Sequence, residues 1–289
     1  MTISAWNHRW PAPAKLNLML RIVGRRADGY HLLQTVFQIL DYCDYLQFFP
    51  RNDGEIVLED SLPGVSDDEN LVVRAAQLLR NKADELGVKT SGITILMSKN
   101  LPMGGGLGGG SSDAATTLVA LNFLWGLCLP ESDLVTIGLQ LGADVPVFVC
   151  GASTWAEGVG EQLKVIDLPD YWYVVLIPDC HVSTQEVFKH PALTRDSDSI
   201  TIDKFSPEVP YNDCLLVVTD CYPQVKEALS ALAAYSVCGL TGTGGCVYAS
   251  FYSEAEARAA AQNLRQNWNL FVARAVKCSP LHQMLAILK

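Results

Sequence analysis

The chain predicts an α+β fold in two domains, and three observations carry that expectation. Strand-like and helix-like stretches mix along its 289 residues without regular βα alternation. A glycine run at 102–113 joins an apolar, β-branched stretch to a helical one. A second glycine-rich turn, at 240–246, lies in the other half and leads into another strand. The length suits one large or two modest domains. The small, glycine-containing stretch from Gly151 to Gly160 places the expected division at its start, giving 1–152 and 153–289.

The elements follow in order. From Ala14 to Ile22, Leu16, Leu18, Leu20 and Ile22 alternate with Lys15, Asn17, Met19 and Arg21, which predicts a half-buried strand. Its polar face is either solvated or lines a pocket. Arg25 to His31 holds an Asp-Gly turn signal beside two arginines, an aromatic and a histidine. That loop is either a surface hairpin or a seat for an anion or a base. Residues 32–60 read as strands, with turns at Asn52-Asp53-Gly54 and Leu62-Pro63-Gly64. Ser66-Asp67-Asp68-Glu69 has the form of a capping box, opening a helix from about Asn70 to Leu86 with Gly87 as its stop.

Ile93 to Leu96 then predicts a strand, and Ala114 to Leu127 a helix, with Leu118, Leu121 and Trp125 at helical spacing. Ser132 is the expected cap of a helix running to Leu141 and closed by Gly142. Val145 to Phe148 reads as an apolar strand. Trp172 to Pro178 predicts a buried strand, and Thr184 to Leu193 a short helix. Residues 194–213 predict a loop. After the 240–246 turn come a strand from Val247 to Phe251, a helix to about Asn267 opened by the box Ser253-Glu254-Ala255-Glu256, and a last strand from Phe271 to Val276.

Composition excludes several function classes. With 49% hydrophobic and 18% charged residues, the chain is an ordinary globular sequence. A net charge of −10 argues against a general nucleic-acid or anionic-membrane binder, though not against a local basic pocket. No apolar run approaches the ~20 residues of a membrane span. Met1 to Trp10 holds His8 and Arg9 and lacks a signal peptide's apolar core. The nine cysteines include no Cys-x-x-Cys pair, so free thiols and a cytoplasmic location are expected. The five histidines lack metal-ligand spacing. The charge also disfavours self-association, so a monomer or weak homodimer is expected.

The chemistry centres on Pro102-Met103-Gly104-Gly105-Gly106-Leu107-Gly108-Gly109-Gly110-Ser111-Ser112-Asp113, six glycines in twelve residues. Between a strand and a helix, such a turn brings backbone close to a ligand and aims unpaired N–H groups at it, which favours phosphate. Ser111 and Ser112 add hydroxyls, and either is suited to cap the helix. The loop is not a Walker A loop, because no Gly-Lys-Ser/Thr follows. Gly104-x-Gly106-x-x-Gly109 formally fits the dinucleotide fingerprint. The acidic residues about 20 positions on, Glu131 and Asp133, follow Pro130 and open a helix, which is the wrong context. In Gly142-Ala143-Asp144-Val145-Pro146, the carboxylate is either a turn or cap aspartate or a general base in a cleft.

Taken together, Pro13-Ala14-Lys15-Leu16-Asn17-Leu18, Arg26-Ala27-Asp28-Gly29-Tyr30-His31, the 102–115 loop, Gly142 to Pro146 and Leu240 to Cys246 resemble the GHMP kinase superfamily of galacto-, homoserine, mevalonate and phosphomevalonate kinases. The two N-terminal motifs are similar to its branch acting on a cytidine diphosphate-linked methylerythritol. The resemblance implies an N-terminal ATP-binding domain, a C-terminal substrate-side domain and a cleft between them. It implies ATP, with Mg²⁺ carried by the nucleotide, and a small-molecule acceptor. Backbone N–H groups of Pro102 to Ser112 would wrap the phosphates, with Asn70 and Lys99 at the adenosine end. Lys15 and Asp144 would flank the acceptor hydroxyl. Asn17, Tyr30 and His31 would hold the cytidine diphosphate end, with Phe188 covering the cytosine. Asp113 stands where some relatives have Asn. No protein ligand for the metal is assigned, with Ser112 the position considered. The rival readings are a mevalonate- or homoserine-type kinase, a dinucleotide-dependent oxidoreductase that would bind NAD(P) and not use ATP, and a non-catalytic nucleotide-binding protein. The presence of both Lys15 and Asp144 argues against the last.

Overall fold

The computed structural model describes residues 5–27, 29–59, 66 and 69–289. Asp28, the Leu62-Pro63-Gly64 turn and Asp67-Asp68 lie outside the described residues.

The first unit is built on two long strands. β1 (Trp10–Arg25) and β2 (His31–Arg51) pair antiparallel over most of their length. The alternation of Leu16, Leu18, Leu20 and Ile22 had suggested one buried face. Instead every residue from Trp10 to Leu20 is buried, because the strand lies against apolar layers on both sides. Register shifts between Pro13 and Lys15, and between Asn17 and Met19, bracket the two polar residues of the opening motif. β3 (Ile56–Leu58), β4 (Gly92–Ser98), β5 (Thr154–Glu157) and β6 (Gln162–Val165) extend the sheet, and β8 (Tyr211–Asn212) adds to β1 in parallel. The strand order is β3-β4-β2-β1-β8, with β5 pairing β2 and β6. The expected division at 152/153 precedes β5 and β6.

Helices α1 (Leu71–Glu85), α2 (Gly109–Leu124), α3 (Glu131–Leu139) and α4 (Val145–Cys150) cover one face of this sheet. Four local expectations change here. The N-cap of α1 is Asn70, whose side chain accepts from the Val72 N–H, although Ser66 still bonds Glu69. α2 begins five residues earlier than its apolar spacing suggested, directly after Gly108, which takes φ +74° as the cap. Neither Ser111 nor Ser112 caps it. α3 is capped at Pro130 rather than Ser132. Val145 to Phe148 is helical, not a strand: six apolar residues carry no period that separates the two, and Pro146 suits a first helical turn.

The second unit is a four-stranded antiparallel sheet of order β11-β7-β10-β9, from β7 (Trp172–Ile177), β9 (Cys238–Leu240), β10 (Val247–Phe251) and β11 (Asn269–Arg274). α7 (Pro223–Ala233) and α8 (Glu254–Leu264) pack on it through Val225, Ala228, Leu232, Ala257 and Ala261. The capping box at Ser253 and Glu256 forms as expected. α5 (Thr184–Lys189) is the short helix expected there. The 194–213 stretch is largely irregular but ends in β8. α6 (Leu215–Cys221), α7 and α9 (Pro280–Leu288) have no counterpart among the expected elements. Leu281 of α9 is buried in the core of the first unit. An apolar layer of Leu16, Leu18, Tyr173, Val175 and Phe271 joins the two units.

Candidate active site

A cleft of about 560 Å³ runs between the units. Lys15, Asn17, Asn70, Lys99, Pro102 through Ser111, Asp144 and Phe188 all line it. Ser112 does not; its side chain is fully buried and its hydroxyl has no hydrogen-bond partner.

The glycine loop is held from two sides. Lys15 N–H donates to the Leu107 carbonyl at 3.0 Å, and Cys246 N–H to that of Gly105 at 3.0 Å. The Thr241 hydroxyl donates to the Gly106 carbonyl at 3.1 Å. Three successive carbonyls are thus committed to the protein. The first-turn N–H groups of α2 have no intrahelical partner, and Gly109, Gly110 and Ser111 of that turn line the cleft. The two glycine-rich turns interlock so closely that a Cβ on Gly106, at φ +76°, would stand 2.2 Å from the Thr241 carbonyl oxygen. This contact explains glycine at 106, and a Cβ on Gly245, 2.7 Å from the Gly104 carbonyl oxygen, explains glycine in the second turn.

Opposite the loop, Lys15 Nζ lies 3.1 Å from Asp144 Oδ2 and donates to Asn17 Oδ1 at 2.6 Å. The ammonium is almost wholly buried, while the Asp144 side chain is 35% exposed toward the cleft. Asp144 sits at the N-cap position of α4 without making a side-chain cap bond, so its carboxylate is free for Lys15 and a ligand. Asn17 is committed at both ends: its Nδ2 donates to Thr35 Oγ1 at 2.8 Å, and Thr35 donates to the Met19 carbonyl at 2.6 Å. The amide therefore orients Lys15. The Phe37 ring lies 5.2 Å from the ammonium and adds a cation–π contact.

At the adenosine end expected for the cleft, Lys99 is an ion-pair hub. Its ammonium is hydrogen-bonded to Asp44 and to Asp113, both almost wholly buried. Burial disfavours the Lys99 charge, but the two carboxylates outweigh it and raise its pKa. Burial pushes the Asp113 carboxyl up to about 7; Lys99 opposes this and Asp44 reinforces it. Asp44, Thr35, Thr241 and Thr243 were not singled out from the sequence. The one sequence signal was Asp44 itself, a carboxylate inside a stretch read as strand, and Asp41 and Gln47 beside it leave that signal weak.

At the other end, His31 and Phe188 stack, with ring centroids 4.9 Å apart and planes at 26°. His31 Nε2 is buried and has no partner in the protein. Burial, then the charges of Arg195 and Arg25, lower the His31 pKa and so favour the neutral ring. Arg195 donates to the carbonyls of Phe188, His190 and Leu193 and so fixes the end of α5. Tyr30, beside His31, is largely exposed. The geometry brings the cation–carboxylate pair, the phosphate-type helix start and Phe188 into one cleft, while His31 reaches it only through its stack on Phe188 and neither His31 nor Tyr30 lines it.

Comparison with known proteins shows the family and the fold. Residues 70–152 match the GHMP kinases N terminal domain, and 201–270 the GHMP kinases C terminal model. A protein of Methylococcus capsulatus called 4-diphosphocytidyl-2-C-methyl-D-erythritol kinase is 56% identical, over 96% of this chain and 94% of its own length. A crystal structure of 4-(cytidine 5'-diphospho)-2C-methyl-D-erythritol kinase superposes with a TM-score of 0.80 at 32% identity, covering 92% of this chain and 98% of that one. The Methanococcus jannaschii mevalonate kinase, at 16% identity, shares the fold with a TM-score of 0.68, covering 93% of this chain and 98% of that one.

Proposed function

The chain belongs to the GHMP kinases, in the 4-diphosphocytidyl-2-C-methyl-D-erythritol kinase family, and from that premise we propose that it transfers the γ-phosphoryl group of ATP to the C2 hydroxyl of that compound, releasing ADP, in the non-mevalonate route to isoprenoid precursors. The observation that carries the reading is the Lys15–Asp144 pair, 3.1 Å apart, in the same cleft as the start of α2.

The acceptor is a crowded tertiary alcohol of low acidity, so the reaction depends on alignment and on charge stabilisation. The hydroxyl oxygen forms the new bond to the γ-phosphorus as the bond from that phosphorus to the β,γ-bridging oxygen breaks, and ADP leaves. Asp144 accepts the hydroxyl proton during transfer. Lys15 stabilises the charge that develops on the transferring oxygens. Asn17 holds the ammonium in place, so it acts on the acceptor through Lys15. The amides of the 102–111 loop bind the phosphates, and Asn70 and Lys99 stand toward the adenosine. Tyr30, His31 and Phe188 form the seat for the cytosine, whose flat polar ring suits stacking and edge hydrogen bonds.

Mg²⁺ carried by the nucleotide would supply positive charge to offset that of the phosphates. Among the described residues no group of three or more His, Cys, Asp and Glu is arranged to hold a metal. Ser112, the position considered for the ion, is buried away from the cleft, so no residue of the chain is assigned as its ligand. The nine free thiols accord with a reducing cytoplasm, and no described helix is long and apolar enough to cross a membrane. The net charge of −10 accords with a monomer or weak homodimer.

The test is ADP release by the purified protein with Mg·ATP and 4-diphosphocytidyl-2-C-methyl-D-erythritol, run beside mevalonate, homoserine and no acceptor. Release with the cytidine-linked compound alone is expected. Release with another acceptor would overturn the assignment of Tyr30, His31 and Phe188.

A further inference from the structure

Asp44 has no exposed surface, yet both of its carboxylate oxygens are hydrogen-bonded. Its Oδ1 accepts from the backbone N–H of Asn100 at 2.5 Å and of Leu101 at 2.8 Å. Its Oδ2 accepts from Lys99, whose ammonium also bonds Asp113. The Asn100 side chain adds a bond to the Cys43 carbonyl at 2.8 Å. Lys99, Asn100 and Leu101 are the entry to the glycine loop, and Asp113 lies just past its exit, in α2. One carboxylate on β2 therefore ties together the two ends of the loop, while Lys15, Thr241 and Cys246 hold its middle.

We propose that Asp44 is a positioning residue for the nucleotide, clipping the entry and exit of the phosphate loop through Lys99 and Asp113. The inference rests on the kinase reading and deepens it. The clip also has a charge problem to solve. With both carboxylates ionised it is net negative, beside a cleft meant for a polyphosphate. A shared proton removes that conflict. Asp113 Oδ1 is buried with no hydrogen-bond partner, as suits a neutral carboxyl better than a carboxylate. Burial and Asp44 hold the Asp113 carboxyl near 7 against the pull of Lys99. The charged groups acting on it are Asp44 from β2 and Lys99 from the end of β4. As pH rises through that point the clip turns negative, and its grip on ATP weakens.

The experiment measures KM for ATP and for acceptor, calorimetric ATP affinity, and thermal midpoint, from about pH 6 to about pH 8.5, in wild type, Asp44→Asn and Asp113→Asn. Asparagine at 44 keeps an oxygen for the Asn100 and Leu101 N–H groups but gives Lys99 no acceptor. The expected result for Asp44→Asn is an ATP KM and Kd raised about tenfold, with acceptor KM moved less than about twofold. A role in stability alone would raise both KM values and lower the melting point. In wild type, ATP affinity should fall as pH rises through about 7, and Asp113→Asn should lose that part of the trend. The terminal phosphate of ATP titrates in the same range in both proteins, so the comparison between them isolates Asp113.

Unchanged ATP affinity in Asp44→Asn, or both KM values rising together, would overturn the proposal. So would an Asp113→Asn trend matching wild type, and that variant carries the test if Asp44→Asn does not fold. A wild-type protein that binds no ATP would instead overturn the kinase reading.

Discussion

Lys15 holds Asp144 and Asn17 at once, and that decides what substitution at each should do. Asp144→Asn keeps the shape and loses the proton acceptor, so turnover should fall by about 10² or more while calorimetric ATP affinity stays close to wild type. Near-normal turnover in the folded variant would remove Asp144 as the base. His31 gives a different signature. Because burial, Arg195 and Arg25 depress its pKa, the ring should gain a proton only below the ordinary histidine value of about 6.5. The acceptor kcat/KM should therefore stay level through neutral pH and drop only in more acid solution. His31→Ala should raise acceptor KM far more than ATP KM and abolish that acid limb. An acid limb centred at or above the ordinary value would count against this environment, and equal losses for both ligands would count against the role. Both residues were visible in the sequence because they stand in dense local motifs. Asp44 was not, since its partners, Asn100 and Leu101, lie more than fifty positions away and only the fold brings them to it.

At the scale of elements, the strand–loop–helix unit was legible for a local reason: six glycines between two apolar patterns leave few alternatives. What holds the loop was not legible, because it comes from the 240–246 turn across the cleft. Gly106→Ala tests that link. The new Cβ would meet the Thr241 carbonyl oxygen at 2.2 Å, on a backbone at φ +76°. The strain should cost about 1–3 kcal/mol, read as a lower melting point, with ATP KM rising more than acceptor KM. An unaltered melting point would mean the two turns separate freely. The α4 segment shows the opposite limit of sequence reading. Its six residues are all apolar or cysteine, so burial rather than pattern decides their conformation, and the strand expected there is a helix with Asp144 at its head. The capping box of α8 was read correctly because both of its partners lie within four residues.

At the scale of the molecule, the two halves are not stacked end to end. β8 pairs with β1, and α9 returns to the core of the first unit, where Leu281 is fully buried. Leu281→Ala should therefore destabilise by about 2–5 kcal/mol, read as a lower urea midpoint. Because α2, which starts at the nucleotide loop, packs in that same core, ATP should raise the midpoint of the variant as it does that of the wild type. A loss confined to the second unit, with the first unfolding at its usual midpoint, would contradict this packing. The acceptor preference was legible only through the two N-terminal motifs, since the mevalonate kinase fold is shared at 16% identity.

The return of α9 has a consequence for how the protein is made. On the ribosome the chain emerges from its N-terminus, at roughly 5–20 residues per second. Trp10 to Val149 would be out of the exit tunnel well before Pro280 to Leu288 are even joined, and the edge of β1 that receives Tyr211 and Asn212 would stand open meanwhile. The larger sheet thus spends several seconds incomplete, with apolar surface awaiting its last helix, and nascent chains stalled short of residue 280 should be the species that chaperones hold and proteases cut.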